Sequence, residues 1–154
     1  MIVELNIRSR LIGIFKFNSD YMGYECNEGK IDWILKLESK STDVNELINK
    51  AETLFVEMDR FDRLAKSGIA EKLIDYKNDF WPEYDENDSD LDWDAVEAGD
   101  YDVSKEKFEE LINLCFIEIR SNEIYCEYND GDMFGGHRIH VYLDYQFNVI
   151  NAEL

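Results

Sequence analysis

The chain has 154 residues, 45% of them apolar and 14% aromatic, enough for one domain with a buried core and too short for two comfortable ones. Thirty-five acids against sixteen bases give a net charge of −19, a field that repels phosphate backbones and acidic membrane surfaces and argues against nucleic acid or membrane as partners. Basic proteins and cations are the favoured partners, with solubility alone as the bland account of the charge.

Cys26, Cys115 and Cys126 make an odd count without CxxC or Cys/His ligand spacing. All three stand in apolar, strand-like contexts, which suits reduced, buried thiols in a cytosol. The opening "MIVELNIRSR" carries Glu4 and lacks the apolar run of a signal peptide. No stretch approaches the roughly 20 apolar residues of a membrane helix. The expectation is a soluble, cytoplasmic protein.

In chain order, the first forty residues read as strands. "LIGIFKFN" (11–18) and "IDWILKLES" (31–39) are rich in β-branched and aromatic residues, and "SDYMGYECNEGK" between them offers turn glycines and a short strand. "MIVELNI" is a further strand candidate. The period then changes. Val44, Leu47, Ile48, Ala51, Leu54, Phe55 and Met58 follow helical spacing, and Asp43 with Glu46 resembles a capping box at the start. The series runs on through Phe61, Leu64 and Ala65, meets Gly68 and resumes at Ile69, Leu73 and Ile74, which predicts two helices or one bent pair over about 43–77.

Pro82, the one proline, closes the helical region. From Glu83 to Asp102 there are ten acids and no base. An inert solvated loop or insertion over about 82–103 would account for them. Yet Trp81, Tyr84, Leu91, Trp93 and Tyr101 lie in or beside this stretch. Aromatics are costly to expose and are enriched at protein interfaces, so Tyr84, Asp85, Asp88, Asp90, Asp92, Trp93, Asp94 and Tyr101 form the candidate partner-binding set.

A third helix is expected over about 104–113. Ser104 is its N-cap, Val103 and Phe108 match a hydrophobic staple, and Leu111, Ile112 and Cys115 continue the buried stripe. The remainder reads as β: "LCFIEIRS", a Ser121-Asn122 turn, "EIYCEYND", "HRIHVYLDY" and "QFNVINAEL". Ile124, Cys126 and Tyr128 share one strand face, as in an antiparallel meander buried on one side. The order of elements indicates an α+β fold, a mostly antiparallel sheet with helices packed on one face, and a single domain spanning 1–154.

"GDMFGGHRIHVYLDY" (131–145) holds both histidines. A strand sends His137 and His140 to opposite faces, so they cannot jointly hold a metal. Asp130, Asp132 and His137 could converge across the loop on a divalent ion. Against that stands a structural account: an Asp130-Gly131 turn, Asp132 accepting backbone N–H groups, and His137 satisfied at the core edge. Cys126 with His137 as nucleophile and base conflicts with the apolar face on which Cys126 lies. "DSDLDWDA" lacks the glycine and the twelfth-position Glu of an EF-hand. No P-loop, GxGxxG or GxSxG occurs. Neither catalytic residues nor a metal or other cofactor is expected.

The segment "YNDGDMFGGHRIHVYLD" resembles a bacterial family known as domain of unknown function 2262. The pattern DGD-x-F-x-GH-x-I-x-V is met by Asp130, Gly131, Asp132, Phe134, Gly136, His137, Ile139 and Val141. Gly13 and Trp33 are similar to its N-terminal glycine and Trp strands, Asn78 and Trp81 to an Asn-x-x-Trp helix end, and Phe108 with Ile112 to a short helix before a strand. The chain departs from the pattern at 83–102, where the family's link is shorter. The resemblance implies a fold rather than an activity.

Small acidic bacterial α+β domains look like immunity proteins, an analogy of charge and size alone. The leading expectation is a non-catalytic inhibitor that covers the cleft of a basic toxin, a nuclease among the candidates. The alternatives are a small metal-dependent hydrolase centred on Asp130, Asp132 and His137, and a housekeeping protein-interaction domain.

Overall fold

The structure is a computed structural model, and it describes residues 5–81, 94, 99 and 101–154. Four strands come first: β1 (Asn6–Ser9), β2 (Gly13–Asn18), β3 (Gly23–Cys26) and β4 (Asp32–Lys36). The helices α1 (Val44–Val56), α2 (Met58–Phe80) and α3 (Lys105–Leu111) follow. Four more strands end the chain: β5 (Asn113–Ile119), β6 (Ile124–Asn129), β7 (Arg138–Leu143) and β8 (Val149–Glu153). All eight strands form one sheet in sequence order. Every neighbouring pair is antiparallel except β4–β5, which is parallel. The fold is α+β, as expected.

A parallel pair cannot be joined by a hairpin, so the chain between β4 and β5 must cross over the sheet, and the helices lie in that crossover. The register explains which face they cover. Cys26, Trp33, Ile117, Cys126, Val141 and Ala152 are successive cross-strand partners from β3 to β8, and all six are buried. Tyr24, Leu35, Ile119, Ile124 and Leu143 make a parallel row, likewise buried. Against these rows pack Leu47, Ala51 and Leu54 of α1 and Phe61, Ala65 and Ile69 of α2.

The break between the first two helices falls at Glu57, not at Gly68 as the apolar series suggested. Gly68 lies inside α2, where it lets the helix approach Val149 of β8; a Cβ there would lie 2.7 Å from the Val149 Cβ. The missing side chain serves packing rather than a turn. α2 ends at Phe80 because Trp81 is extended (φ −128°, ψ 139°), the conformation that a following proline imposes. Asp43 caps α1 by accepting from the Asn45 and Glu46 N–H groups, while Glu46 pairs with Lys50 instead of closing a capping box. Ser104 caps α3 by accepting from Lys107 N–H.

Two further expectations are corrected here. α3 stops at Leu111, so Ile112 and Cys115 do not continue its stripe. Ile112 is the buried C-cap residue, and Cys115 sits at a bulge in β5 between Leu114 and Phe116, half-buried rather than in the core. Among the described residues, no helix is long and apolar enough to cross a membrane.

Replacing Gly68 with Ala should therefore destabilise the protein by about 1–3 kcal/mol, outweighing the roughly 1 kcal/mol that Ala adds to a helix interior. Trimming Val149 to Ala in the same chain should recover part of the loss. Urea unfolding of the two single variants and the double variant measures the coupling, and strictly additive effects would refute the packing account.

Candidate functional site

Asp130 organises the loop between β6 and β7. It is 4% exposed, and its two carboxylate oxygens accept four backbone N–H groups. Oδ1 takes that of Asp132 at 2.9 Å; Oδ2 takes those of Phe134, Gly136 and His137 at 3.1, 3.0 and 2.9 Å. The acceptor is thus Asp130, where the sequence suggested Asp132. A buried carboxylate is tolerable when ionic hydrogen bonds replace its water, and here they wind residues 130–137 around one point charge.

Gly131 (φ +58°) is packed against Leu111, whose carbonyl oxygen would overlap any Cβ at that position. Asp132 follows in the same left-handed region (φ +63°) with its side chain exposed. Phe134 is fully buried, edge-on to Phe108 and Trp81 and stacked on Tyr76. His137 is exposed rather than set in the core edge, and its Nδ1 lies 2.5 Å from the Phe134 carbonyl oxygen. The strand begins after it, at Arg138.

A second cluster is built onto this loop. Lys77 is 5% exposed, and its Nζ donates to the carbonyls of Trp81 (3.2 Å) and Tyr101 (2.8 Å). At the next position of α2, the Asn78 side chain acts as a backbone stand-in, accepting from Val103 N–H at 2.9 Å and donating to Val103 O at 3.1 Å. Burial pushes the Lys77 pKa down, and the Asp102 charge opposes that shift. Two carbonyls that share one ammonium are close neighbours, so the chain leaves at Trp81 and returns at Tyr101 through a closed neck. Trp81 then lies across the motif loop, 3.2 Å from where a Gly135 Cβ would be and with its ring centroid 5.9 Å from that of His137.

The acidic segment and the histidine motif, far apart in sequence, are therefore joined at the neck. Of the residues proposed to bind a partner, Tyr84, Asp85, Asp88, Asp90, Asp92 and Trp93 lie outside the described residues, as does most of the 82–103 insertion. Asp94 is exposed, and Tyr101 is half-buried with its carbonyl on Lys77. Sequence reasoning missed Lys77 and Gly135. A lysine in the last turn of a helix is ordinarily only a dipole partner, and nothing in the spacing marks this one as buried.

It also missed a network on the sheet face away from the helices. There Glu118, Tyr125, Tyr142 and Asn151 form one cross-strand row and Phe116, Glu127, His140 and Glu153 the next. The Tyr125 hydroxyl donates to Glu127 (2.8 Å) and meets His140 Nδ1 at 2.6 Å, while the Arg120 guanidinium lies 5.0 Å from the Tyr125 ring centroid. Burial and the Glu127 carboxylate push the Tyr125 pKa up. Both alternations were visible; only the register reveals which residues face each other.

Cys126 is fully buried, and desolvation pushes its thiol well above the usual range, the opposite of an activated nucleophile. Among the described residues, no group of three or more His, Cys, Asp or Glu is disposed to hold a metal ion.

An eight-stranded sheet in sequence order, helices on one face and a carboxylate-wound loop between β6 and β7 define an α+β domain with a helical crossover. Its sequence matches, over residues 9–154, the profile of DUF2262, described as an uncharacterised protein conserved in bacteria, and the chain belongs to that family. No curated protein and no solved structure matches it.

Two outcomes follow from this geometry. Asp130→Asn keeps the shape but turns one acceptor oxygen into a donor facing an N–H group, and should cost about 2–4 kcal/mol in chemical unfolding. Replacing residues 82–100 with a short Gly/Ser link should leave the melting transition cooperative and within a few degrees of the parent, because the neck closes without them. A non-cooperative melt would show that the segment belongs to the core.

Proposed function

We propose that this chain is a non-catalytic, acidic binding protein of the immunity type, neutralising a basic toxin of the nuclease class by covering its active-site cleft. The observation that carries this reading is the closed neck. The ten acids without a base lie in a stretch of sequence flanked by Trp81 and Tyr101, whose carbonyls share one buried ammonium, and Trp81 packs on the motif loop. A charged segment tethered at both ends loses less freedom on binding than a free tail, so more of its interaction energy appears as affinity.

In this reading Asp85, Asp88, Asp90, Asp92 and Asp94 steer the partner and pair with its cations, and Tyr84, Trp93 and Tyr101 anchor it. Charge then speeds association and aromatic burial slows release. The partner is a basic protein, and the inhibitor meets it in the cytoplasm. The hydrolase alternative has weaker support in its donor set: both Asp130 oxygens are already engaged by four N–H groups, which leaves Asp132 and His137 as the two available ligands. Metal sites with chemistry ordinarily use three protein ligands.

The test is a pull-down from host lysate at low salt, eluted by rising salt and identified by mass spectrometry, followed by kinetics on the purified pair. Changing the aspartates at 85, 88, 90, 92 and 94 to asparagine should slow association by about tenfold or more at low salt, and Trp93→Ala should chiefly speed dissociation. His137→Ala should leave both rates unchanged. Unaltered binding by the five-site amide variant would overturn the proposal.

A further inference from the structure

Four rings among the described residues stand largely in water: Tyr21, Phe55, Tyr76 and Phe80. The first two have a base at hand. Lys36 donates to the Tyr21 carbonyl at 2.7 Å, and Lys30 lines the small cleft that Phe55 also lines. Tyr76 (42% exposed) and Phe80 (60%) differ. They are i, i+4 neighbours at the end of α2 and touch each other, with ring centroids 5.3 Å apart. Tyr76 also stacks on buried Phe134, against which Trp81 sits edge-on, so the exposed pair shares its footing with the neck.

The face of an aromatic ring is electronegative and attracts a cation. Elsewhere the chain supplies that cation itself: Lys50 lies over Tyr145, Arg60 over Phe147, and Arg120 over Tyr125 and Tyr142. All sixteen Lys and Arg are among the described residues, and none lies over Tyr76 or Phe80. Acids stand beside these two rings instead. Asp75 and Asp79, both exposed, form a second i, i+4 row next to the ring pair. Of the nearby bases, Lys77 is turned inward onto two carbonyls and Lys105 pairs with Glu71 at 3.1 Å. Lys72 is exposed one turn before Tyr76 and makes no ion pair among the described residues. It is eight positions from Phe80, about 12 Å along a helix, which exceeds the roughly 8 Å screening length of physiological salt. Asp79 adjoins Phe80, so the acids dominate at that end of the pair.

Resting on the reading of this chain as the binder of a basic protein, we propose that Tyr76 and Phe80 seat an arginine side chain of that partner. Its guanidinium lies on the Phe80 ring with its N–H groups toward Asp79. Arginine suits the site better than lysine. A guanidinium is planar and weakly hydrated, so it stacks on a ring while still donating to a carboxylate, whereas an ammonium holds its water more strongly. Aromatic and arginine side chains are also the groups that most often carry the binding energy of protein interfaces. This seat is separate from the anchors Tyr84, Trp93 and Tyr101, and it adds residue-type specificity to an attraction that charge alone would leave general.

Nona-arginine and nona-lysine peptides, titrated against the full chain at physiological salt, are the probes. Their charges are equal, so a general acidic field attracts both alike. The expected result is a dissociation constant about twofold to fivefold lower for nona-arginine, with the aromatic NMR resonances of Tyr76 and Phe80 shifting as it binds. Phe80→Leu keeps the apolar contact with Tyr76 but removes the π face, and should bring the two constants together. Phe80→Tyr should keep them apart. Both changes fall on an exposed side chain and should leave the melting temperature at the parent's value. No arginine preference in the parent, or one that survives Phe80→Leu, would overturn the inference. Changing the aspartates at 85, 88, 90, 92 and 94 to asparagine separates it from the acidic-segment reading: both peptides should weaken equally, with the arginine preference intact. If that variant binds both peptides as the parent does while Phe80→Leu loses the preference, the acidic-segment reading fails and the arginine seat stands.

Discussion

The parallel pairing of β4 with β5 is the constraint from which the rest of the architecture follows. Without it the eight strands would form a plain meander, open on both faces. One parallel joint forces the intervening chain across the sheet, and it can cross on only one side. That side becomes the core face, which is why buried residues recur at the same register from β3 to β8. The opposite face carries a polar and aromatic network in which Tyr125, Glu127 and His140 satisfy one another, with Ile34 buried in the row of Glu25 and Glu118.

The crossover also brings distant parts of the chain together. β5 starts at the end of the sheet where β6 finishes, with Asn113 opposite Asn129. The last turn of α3 therefore meets the β6–β7 loop, and Leu111 packs on Gly131. Two buried charges fix this junction in opposite ways. Asp130 gathers N–H donors from its own loop, whereas Lys77 gathers carbonyls from the two limbs of the neck. Among the described residues neither forms an ion pair, although the Asp102 charge acts on Lys77. Each is matched by peptide dipoles, which impose a geometry on the backbone that an ion pair between mobile side chains would not.

How much of this was legible follows from the range of each interaction. Caps at Asp43 and Ser104, the helix end before Pro82 and the alternation of Ile124, Cys126 and Tyr128 depend on neighbours within a few residues, and sequence reasoning found them. The family resemblance marked Asn78, Trp81 and the DGD…GH segment. Most of the errors involve partners distant in sequence. Gly68 resembles a helix breaker until Val149, eighty-one positions later, is placed against it. Asp132 was favoured over Asp130 as the acceptor because a local turn does not show which carboxylate points inward. Lys77 is undetectable as a buried group, since its two acceptors lie four and twenty-four residues away. The open-face network required the register, which alternation alone leaves undetermined.

The distribution of charge links the fold to its use. A net charge of −19 in 154 residues works against a compact state. The molecule keeps its core apolar, balances the charge of its first forty residues, and gathers ten acids into one run of sequence, with the carbonyls of Trp81 before it and Tyr101 near its end both on Lys77. Thirteen of those twenty positions carry a charge or an aromatic ring, an unusual composition for a linker whose only task is to join α2 to α3. Solubility would be served by acids scattered over every surface. Here they are concentrated in one stretch of sequence whose flanking residues Trp81 and Tyr101 share the Lys77 ammonium, an uneven distribution that solubility alone does not require.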